Sequence, residues 1–132
     1  MTFTYSDGTV RGTPISVNGY PLPTPTEMNY TREDLHANSE RTASGILVAD
    51  MIRANVLHIS LQWSYLPNVD MTRFLQYIGT NMFKPVQYQN EQSGQLSTAT
   101  MYKSNMSYIP NRVMETGAID GWHSITLNLI ER

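Results

Sequence analysis

The chain has 132 residues, no cysteine and a formal net charge of −2 at pH 7. This length favours a single domain, and the absence of cysteine excludes disulfides and thiolate metal sites. The chain has neither the basic stripe of a sequence-reading nucleic-acid module nor an apolar run of the roughly 20 residues that a membrane helix needs. We therefore expect no membrane insertion, and the polar first residues predict no secretion signal.

The first part of the chain reads as a lead-in followed by a short hairpin. Residues 1–14 are polar and are predicted to be an N-terminal arm or lead-in, with a single β domain over 15–132. Ile15 and Val17 alternate with polar residues, and Asn18-Gly19 is a strong turn pair. Three prolines between 21 and 25 then prevent further ladder pairing, because proline has no amide donor.

Residues 26–45 are rich in charged residues and end at Gly45. They predict either a long loop or a polar β-arm that projects from the body, since structureless loops of this length are uncommon in a compact domain. Residues 46–52, ILVADMI, predict a short apolar strand.

The stretch LHISLQWSY, residues 57–65, alternates apolar and polar residues more regularly than any other part of the chain. This period of two predicts a strand that buries one face. Leu57, Ile59, Leu61, Trp63 and Tyr65 share the apolar face, and Pro67 ends the strand.

An amphipathic helix of about eleven residues follows directly. Asn68 is predicted to cap it and Asp70 to lie in its positive first turn. Its apolar stripe consists of Met71, Phe74, Leu75 and Ile78. Gly79 is predicted to end the helix in a left-handed conformation.

Three further strands complete the chain. The segments 82–88 and 95–109 predict a hairpin joined by QNEQSG, residues 110–121 read as a loop, and WHSITLNLIER closes the chain with alternating residues. The sum is mainly β with one short helix, arranged as a β-sandwich or split barrel with a long polar β-arm or loop. The predicted core comprises Leu57, Ile59, Leu61, Trp63, Phe74, Ile78, Ile125, Leu127 and Leu129.

No residue pattern indicates catalysis. The three histidines, at 36, 58 and 123, have no second ligand at metal-binding spacing on the same face. The carboxylates at 50, 70 and 120 border turns or the helix start, which favours capping over a glycosidase pair. No nucleophile elbow or glycine-rich phosphate loop is present. We expect no catalytic, cofactor-binding or metal-binding residue, and therefore no enzyme.

The order of these segments resembles a family of short bacteriophage and prophage proteins encoded among tail genes. The resemblance is carried by ISVNGYPLPTP, the polar segment closing on RTASG, LHISLQWSYL, NVDMTRFLQYIG, the hairpin and the terminal WHSITLNLIER, and it spans residues 15–132. The same order is similar to the tail-tube fold of tube proteins and of the ring domain of distal tail proteins. The galectin-like second domain of many distal tail proteins is missing, and residues 1–14 have no counterpart.

This resemblance implies a structural virion protein of the phage tail, made in the host cytoplasm. Copies of the chain, six in the tail-tube fold, would close into a ring stacked on or terminating the tail tube and bordering the DNA channel. Its partners would be other copies, the neighbouring tube and tail-tip (baseplate) proteins, and DNA as passing cargo. The predicted inter-subunit arm residues are Arg32, Glu33, Asp34, Glu40 and Arg41, although a solvated loop would carry the same charges. The predicted channel-facing residues are His58, Ser60, Gln62, Ser64, Ser124, Thr126 and Asn128.

Three other interpretations stay open. The chain could be the tail tube subunit itself. It could be a carbohydrate-binding module at the tail tip that uses exposed Tyr and Trp on a sheet face. A hydrolase with an unrecognised site is the third.

Overall fold

The computed structural model describes the backbone of residues 1–41 and 47–132, and the side chains of 1–34 and 55–132. Its described part contains nine strands and one helix, which confirms the prediction of a mainly β chain with one short helix. The strands are β1 Thr2–Thr4, β2 Val10–Gly12, β3 Ile15–Val17, β4 Tyr20–Pro21, β5 Glu27–Arg41, β6 Leu47–Pro67, β7 Phe83–Gln89, β8 Leu96–Pro110 and β9 Gly121–Glu131, and the helix is α1 Asn68–Ile78.

Seven strands form one antiparallel sheet in the order β4-β3-β7-β8-β9-β6-β5, and β1 pairs with β2 in a separate hairpin. The large sheet is strongly curved, because side chains of edge strand β5 reach β7, four positions away. The Tyr30 hydroxyl donates to the Gln89 carbonyl at 2.6 Å, and its ring meets the Tyr88 ring edge to face. The sheet is nevertheless open, with β4 and β5 as its two edges, and is not a closed barrel.

The core fills the concave side of this sheet and lies under α1. All nine residues predicted for the core are buried there. Strands β3, β7 and β8 add further buried apolar side chains. These are Ile15, Val17, Val86, Tyr88 and Met101.

Strand β6 is one continuous element of 21 residues. The sequence predicted two separate strands, at 46–52 and 57–65, and that division was wrong. The alternation also fails near the end of β6. Tyr65 was predicted to lie on the same apolar face as Trp63, yet it is 46% exposed. Trp63 is 2% exposed and its indole N–H donates to the Pro23 carbonyl at 2.9 Å. Residues 22–26, which we call the proline segment, therefore cross from β4 to β5 over this indole.

Helix α1 follows β6 without a loop and ends at Ile78. Asn68 does not cap it as predicted: no side-chain capping bond is present, and Asn68 Oδ1 instead accepts the Trp122 indole N–H at 3.1 Å. Asp70 does lie in the first turn. Leu75, predicted for the buried stripe, is 36% exposed. Gly79 has φ +69° as predicted, but its ψ of −170° lies in the region open to glycine and not in the left-handed helical one.

The Asn18-Gly19 pair joins β3 to β4 as a two-residue turn. Both residues have positive φ, 56° and 82°, as a type I′ turn requires. The Asn18 side-chain amide then donates to the carbonyls of Tyr77 and Ile78, each at 3.0 Å. A turn residue in the first quarter of the chain thus caps the last turn of α1.

Residues 1–14, predicted to be an arm or lead-in, form the β1–β2 hairpin and pack on α1. Phe3 is buried, and the Arg73 guanidinium lies 4.8 Å above its ring. The buried Asp70 carboxylate accepts the Ser6 N–H at 2.9 Å and the Ser6 hydroxyl at 3.2 Å. Within the part of the chain described, α1 is too short to cross a bilayer and no other helix is a candidate span.

Candidate functional site

The seven residues predicted to face a channel lie together on the convex side of β6 and β9. These strands are neighbours, with Ser60 opposite Asn128 and Gln62 opposite Thr126. Their intervening residues are buried in the core, so the predicted seven point outward. His58, Ser60, Thr126 and Asn128 are half-buried, and Gln62, Ser64 and Ser124 are exposed.

Neighbouring strands widen this surface. On β5, Glu27, Asn29 and Thr31 lie opposite Gln62, Ser60 and His58. On β8, Asn105 lies opposite Asn128, and the Ser107 and Thr126 hydroxyl oxygens are 3.0 Å apart. We call this surface the polar face and define it as Glu27, Asn29, Thr31, His58, Ser60, Gln62, Ser64, Asn105, Ser107, Ser124, Thr126 and Asn128.

The polar face spans four strands and is almost uncharged. At the usual strand spacing its two outer strands are about 14 Å apart. The set contains no lysine or arginine, and Glu27 is its one carboxylate. At the edge of this face the Thr26 hydroxyl, just before β5, donates to Ser64 Oγ at 3.3 Å. Such a surface binds water through neutral hydrogen-bonding groups and offers phosphates no cationic side chain.

A bulge in β9 shapes one end of the polar face. Ser124 has φ +51°, and the β8–β9 register shifts between Ser107 and Ile109. The Ser124 hydroxyl lies 3.0 Å from His123 Nδ1. Beside it, a shallow depression of about 300 Å³ is lined by Gln62, Ser64, Ser124 and Thr126 among others. Among the side chains that the structure describes, none of the carboxylates bonds His123, so the His–Ser pair has no third member of a hydrolase triad there.

The second part of the site is a two-stranded arm, which we define as residues 33–41 of β5 and 47–56 of β6. Pairing of β6 with β9 begins at His58, whereas pairing of β5 with β6 continues to Arg41 and Leu47. The arm strands therefore pair only with each other, and nine residues of β5 extend it by roughly 25 Å. Of the two predictions for residues 26–45, the β-arm agrees with the backbone described on either side of 42–46.

The root of the arm is bonded to other parts of the same chain. Arg32 Nε contacts Glu91 Oε1 at 2.5 Å and Arg32 Nη1 donates to the Asn55 carbonyl at 3.3 Å. The Asn55 N–H donates to Asp34 Oδ1 at 2.8 Å, and Glu33 Oε2 lies 3.8 Å from His58 Nε2. Arg32 and Asp34 thus bond within the chain, and Glu33 lies near His58. The predicted pairing of these residues with a neighbouring copy stays a prediction. The side chains of Glu40 and Arg41 lie outside the described residues.

Electrostatics reinforce this fastening. The hydrogen bond from Arg32 lowers the pKa of Glu91, and the same bond raises the pKa of Arg32. Burial, with Glu91 nearby, raises the pKa of Tyr30 to about 12. At neutral pH, Arg32 and Glu91 therefore form an ion pair at the arm root, and the Tyr30 phenol beside them is uncharged.

The β5 contribution to the polar face was not predicted from the sequence. Residues 27–31 were included in the predicted loop or arm, yet Met28 and Tyr30 alternate with Glu27, Asn29 and Thr31, and this period was the available signal. Among the side chains the structure describes, no group of three or more His, Asp or Glu could hold a metal ion.

Over residues 8–132 the chain matches a protein family described as "Family of unknown function (DUF6711)". The chain belongs to this family. The matched range includes the polar face and the arm, and β1 precedes it. No curated protein matches the chain.

Proposed function

We propose that this protein is a structural subunit of a bacteriophage tail, in which several copies close into a ring whose polar faces border the DNA channel. The observation that carries the proposal is a four-strand face without lysine or arginine on the same sheet as a protruding arm. The ring would be stacked on the tail tube or would terminate it, with six copies as the expected number.

Charge supports the placement of the polar face toward DNA. Each cationic contact with a phosphate releases counterions and adds affinity, so a lining that lets DNA slide should avoid Lys and Arg. Six copies of a chain with charge −2 carry a formal charge of −12. The polar face, lined by hydroxyl and amide groups, would wet the channel without holding the genome.

The arm supports assembly. A contact between two different surfaces of identical subunits generates a ring when the rotation closes. An element that leaves the sheet by roughly 25 Å is long enough to reach a neighbouring subunit. The fastened root fixes the direction in which the arm leaves the body, which lowers the entropy lost when it docks.

The decisive experiment is a reconstruction of the virion with this chain located in it. We expect a ring of copies with Gln62 and Thr126 pointing into the channel. A ring present once per tail supports the stacked or terminal position, whereas many successive rings would make the chain the tube subunit itself. A particle in which the polar face lies against an outer shell would refute the proposal.

A variant experiment tests the charge requirement. Asn29→Lys with Gln62→Lys adds two exposed cations per subunit, which raises the formal charge of six copies from −12 to zero. We expect normal particles whose genome release is slow at low salt and recovers as salt rises, because phosphate contacts are salt-dependent. The matched control is Gln92→Lys with Thr116→Lys, which adds the same charge at exposed positions away from the polar face. Equal release by both variants would contradict the proposed orientation.

A further inference from the structure

A cleft separate from the arm lies where the β1–β2 hairpin meets β6 and the start of α1. Its volume is about 410 Å³, within the range of small-ligand sites. It adjoins the polar face at Thr26 and opens on a different side of β6. Its lining includes Tyr5, Asp7, Thr9, Arg11 and Tyr65.

Tyr65 provides a fixed aromatic surface in this cleft. A methyl group added to Gly121 would lie 2.6 Å from Tyr65 Cε2 and 2.7 Å from Cζ, so the ring rests directly on the Gly121 backbone. Tyr65 is nevertheless 46% exposed. One side of the ring is therefore held by the neighbouring strand, and the remaining surface is open to a ligand.

The opposite wall is rigid as well. Besides the two bonds from Ser6 to the buried Asp70, the hairpin loop is closed by Tyr5 N–H to the Thr9 carbonyl at 2.7 Å. The Tyr5 hydroxyl accepts the Thr24 N–H at 3.1 Å, which joins the loop to the proline segment. A cleft whose walls are fixed before binding loses little entropy when a ligand enters.

Ionic groups of both signs lie at the rim. The Thr9 N–H donates to Asp7 Oδ1 at 2.8 Å, and this bond, together with the nearby positive charge of Arg11, lowers the pKa of Asp7. Asp7 is therefore an ionised acceptor at neutral pH, and Arg11 beside it is a planar donor. Thr9, which also lines the cleft, carries a neutral hydroxyl group.

We propose that this cleft binds a saccharide, with one sugar ring lying on Tyr65 and its hydroxyls bonded by Asp7 and Arg11. The apolar C–H face of a sugar packs on an aromatic ring, while adjacent hydroxyls suit a carboxylate and a guanidinium, whose charged bonds are stronger than neutral ones. A nucleotide fits less well, because the ionised Asp7 would repel its phosphates. The inference does not depend on the proposed ring.

The test uses the full chain, labelled with ¹⁵N, in NMR titrations with glucose, galactose, rhamnose and N-acetylglucosamine and their short oligomers through the millimolar range. We expect at least one sugar to shift the amide signals of the 5–9 loop, Thr24 and Tyr65, with saturation transfer from the Tyr65 ring. Tyr65→Ala should weaken that binding at least tenfold, and Tyr65→Phe should retain most of it. The control is Tyr20→Ala, which removes a similarly exposed tyrosine that stacks on Tyr77 elsewhere.

Asp7→Asn tests the polar half of the proposal without disturbing the fold, because an amide oxygen can still accept the Thr9 N–H. We expect binding to weaken severalfold. The proposal is overturned if no sugar shifts the cleft signals, if Tyr20→Ala weakens binding as much as Tyr65→Ala, or if the cleft signals move with protein concentration alone. The last outcome would mean that a second copy of the chain occupies the cleft.

Discussion

The two tryptophans offer a matched test of how the open sheet is held together. Trp63 is buried, packs edge to face on Phe74 with ring centroids 4.6 Å apart, and donates to the buried Pro23 carbonyl. Trp122 is partly buried, packs edge to face on Tyr108 with ring centroids 5.0 Å apart, and donates to Asn68 Oδ1 at the surface. Each indole therefore makes one N–H bond and one aromatic contact, but only the Trp63 bond is buried.

Replacing each with phenylalanine isolates the effect of burial. Trp63→Phe leaves a buried carbonyl without its donor, which costs about 1–3 kcal/mol, and the smaller ring adds about 1 kcal/mol of lost packing. Trp122→Phe exposes its partner to water, so we expect about 0.5 kcal/mol. Trp63→Ala should cost about 3–5 kcal/mol, as large-to-small changes in a core do.

The assay is urea unfolding followed by far-ultraviolet circular dichroism, because either substitution alters the fluorescence. With an unfolding slope of about 2 kcal/mol per molar, Trp63→Phe should lower the midpoint by about 1 M or more and Trp122→Phe by about 0.3 M. Equal midpoints for the two variants would refute the role assigned to the Trp63–Pro23 bond and to the proline segment that it holds.

Three further predictions follow from single contacts. Gly121→Ala should cost about 1–3 kcal/mol because its methyl would meet the Tyr65 ring, whereas Gly12→Ala, with its nearest atom 3.8 Å away, should cost under about 1 kcal/mol; thermal unfolding of both decides it. Asn18→Ala should lower the free energy of unfolding by about 2 kcal/mol and Asn18→Gly by about 1, since glycine keeps the positive φ and loses only the cap; equal losses in urea unfolding would contradict this. The folded-state pKa of Tyr30 is raised from 10.0 to about 12, so the neutral phenol stabilises the wild type fully below pH 10, and this stabilisation should be lost between pH 10 and 12. Tyr30→Phe should therefore show a flatter curve of unfolding free energy against pH over that window. Parallel curves for the two proteins would count against the assignment.

Much of the fold was predictable where burial is decided locally. The alternation from Leu57 to Trp63 gave the core face of β6, because a strand with one buried face must repeat every two residues. The Asn18-Gly19 turn followed from the positive φ that both positions require. These signals depend only on neighbouring residues in the chain.

Long-range partners were not predictable from the same patterns. Asn18 caps a helix about 60 residues away, and Asp70 serves the Ser6 loop in addition to its own helix turn. Asn68 had the composition of a cap, yet the Trp122 indole N–H bonds its side-chain oxygen. Each of these side chains has more than one physically reasonable partner, and only the tertiary fold selects among them.

The candidate site shows the same division. The outward direction of Gln62 and Thr126 followed from the alternation of apolar and polar residues. Their adjacency depends on β9 lying beside β6, and a local sequence pattern does not determine strand order. Arg32, predicted as an arm residue, lies at the arm root, and its partner Glu91 comes from the β7–β8 turn. Side-chain direction could be predicted in these strands, whereas side-chain neighbours could not.

The two borders of the large sheet are unequal, and this limits how molecules of this chain can add to one another by strand pairing. At one border β4 has two residues and is followed by prolines, which cannot donate to an incoming backbone. At the other, β5 presents a long run of peptide groups. Two molecules that paired through β5 would each use their one long edge strand. No such edge would then remain for a third molecule, so β5 pairing alone cannot form a fibre. Any larger closed assembly must engage a second, different surface, and the number of subunits is then set by the angle between the two surfaces.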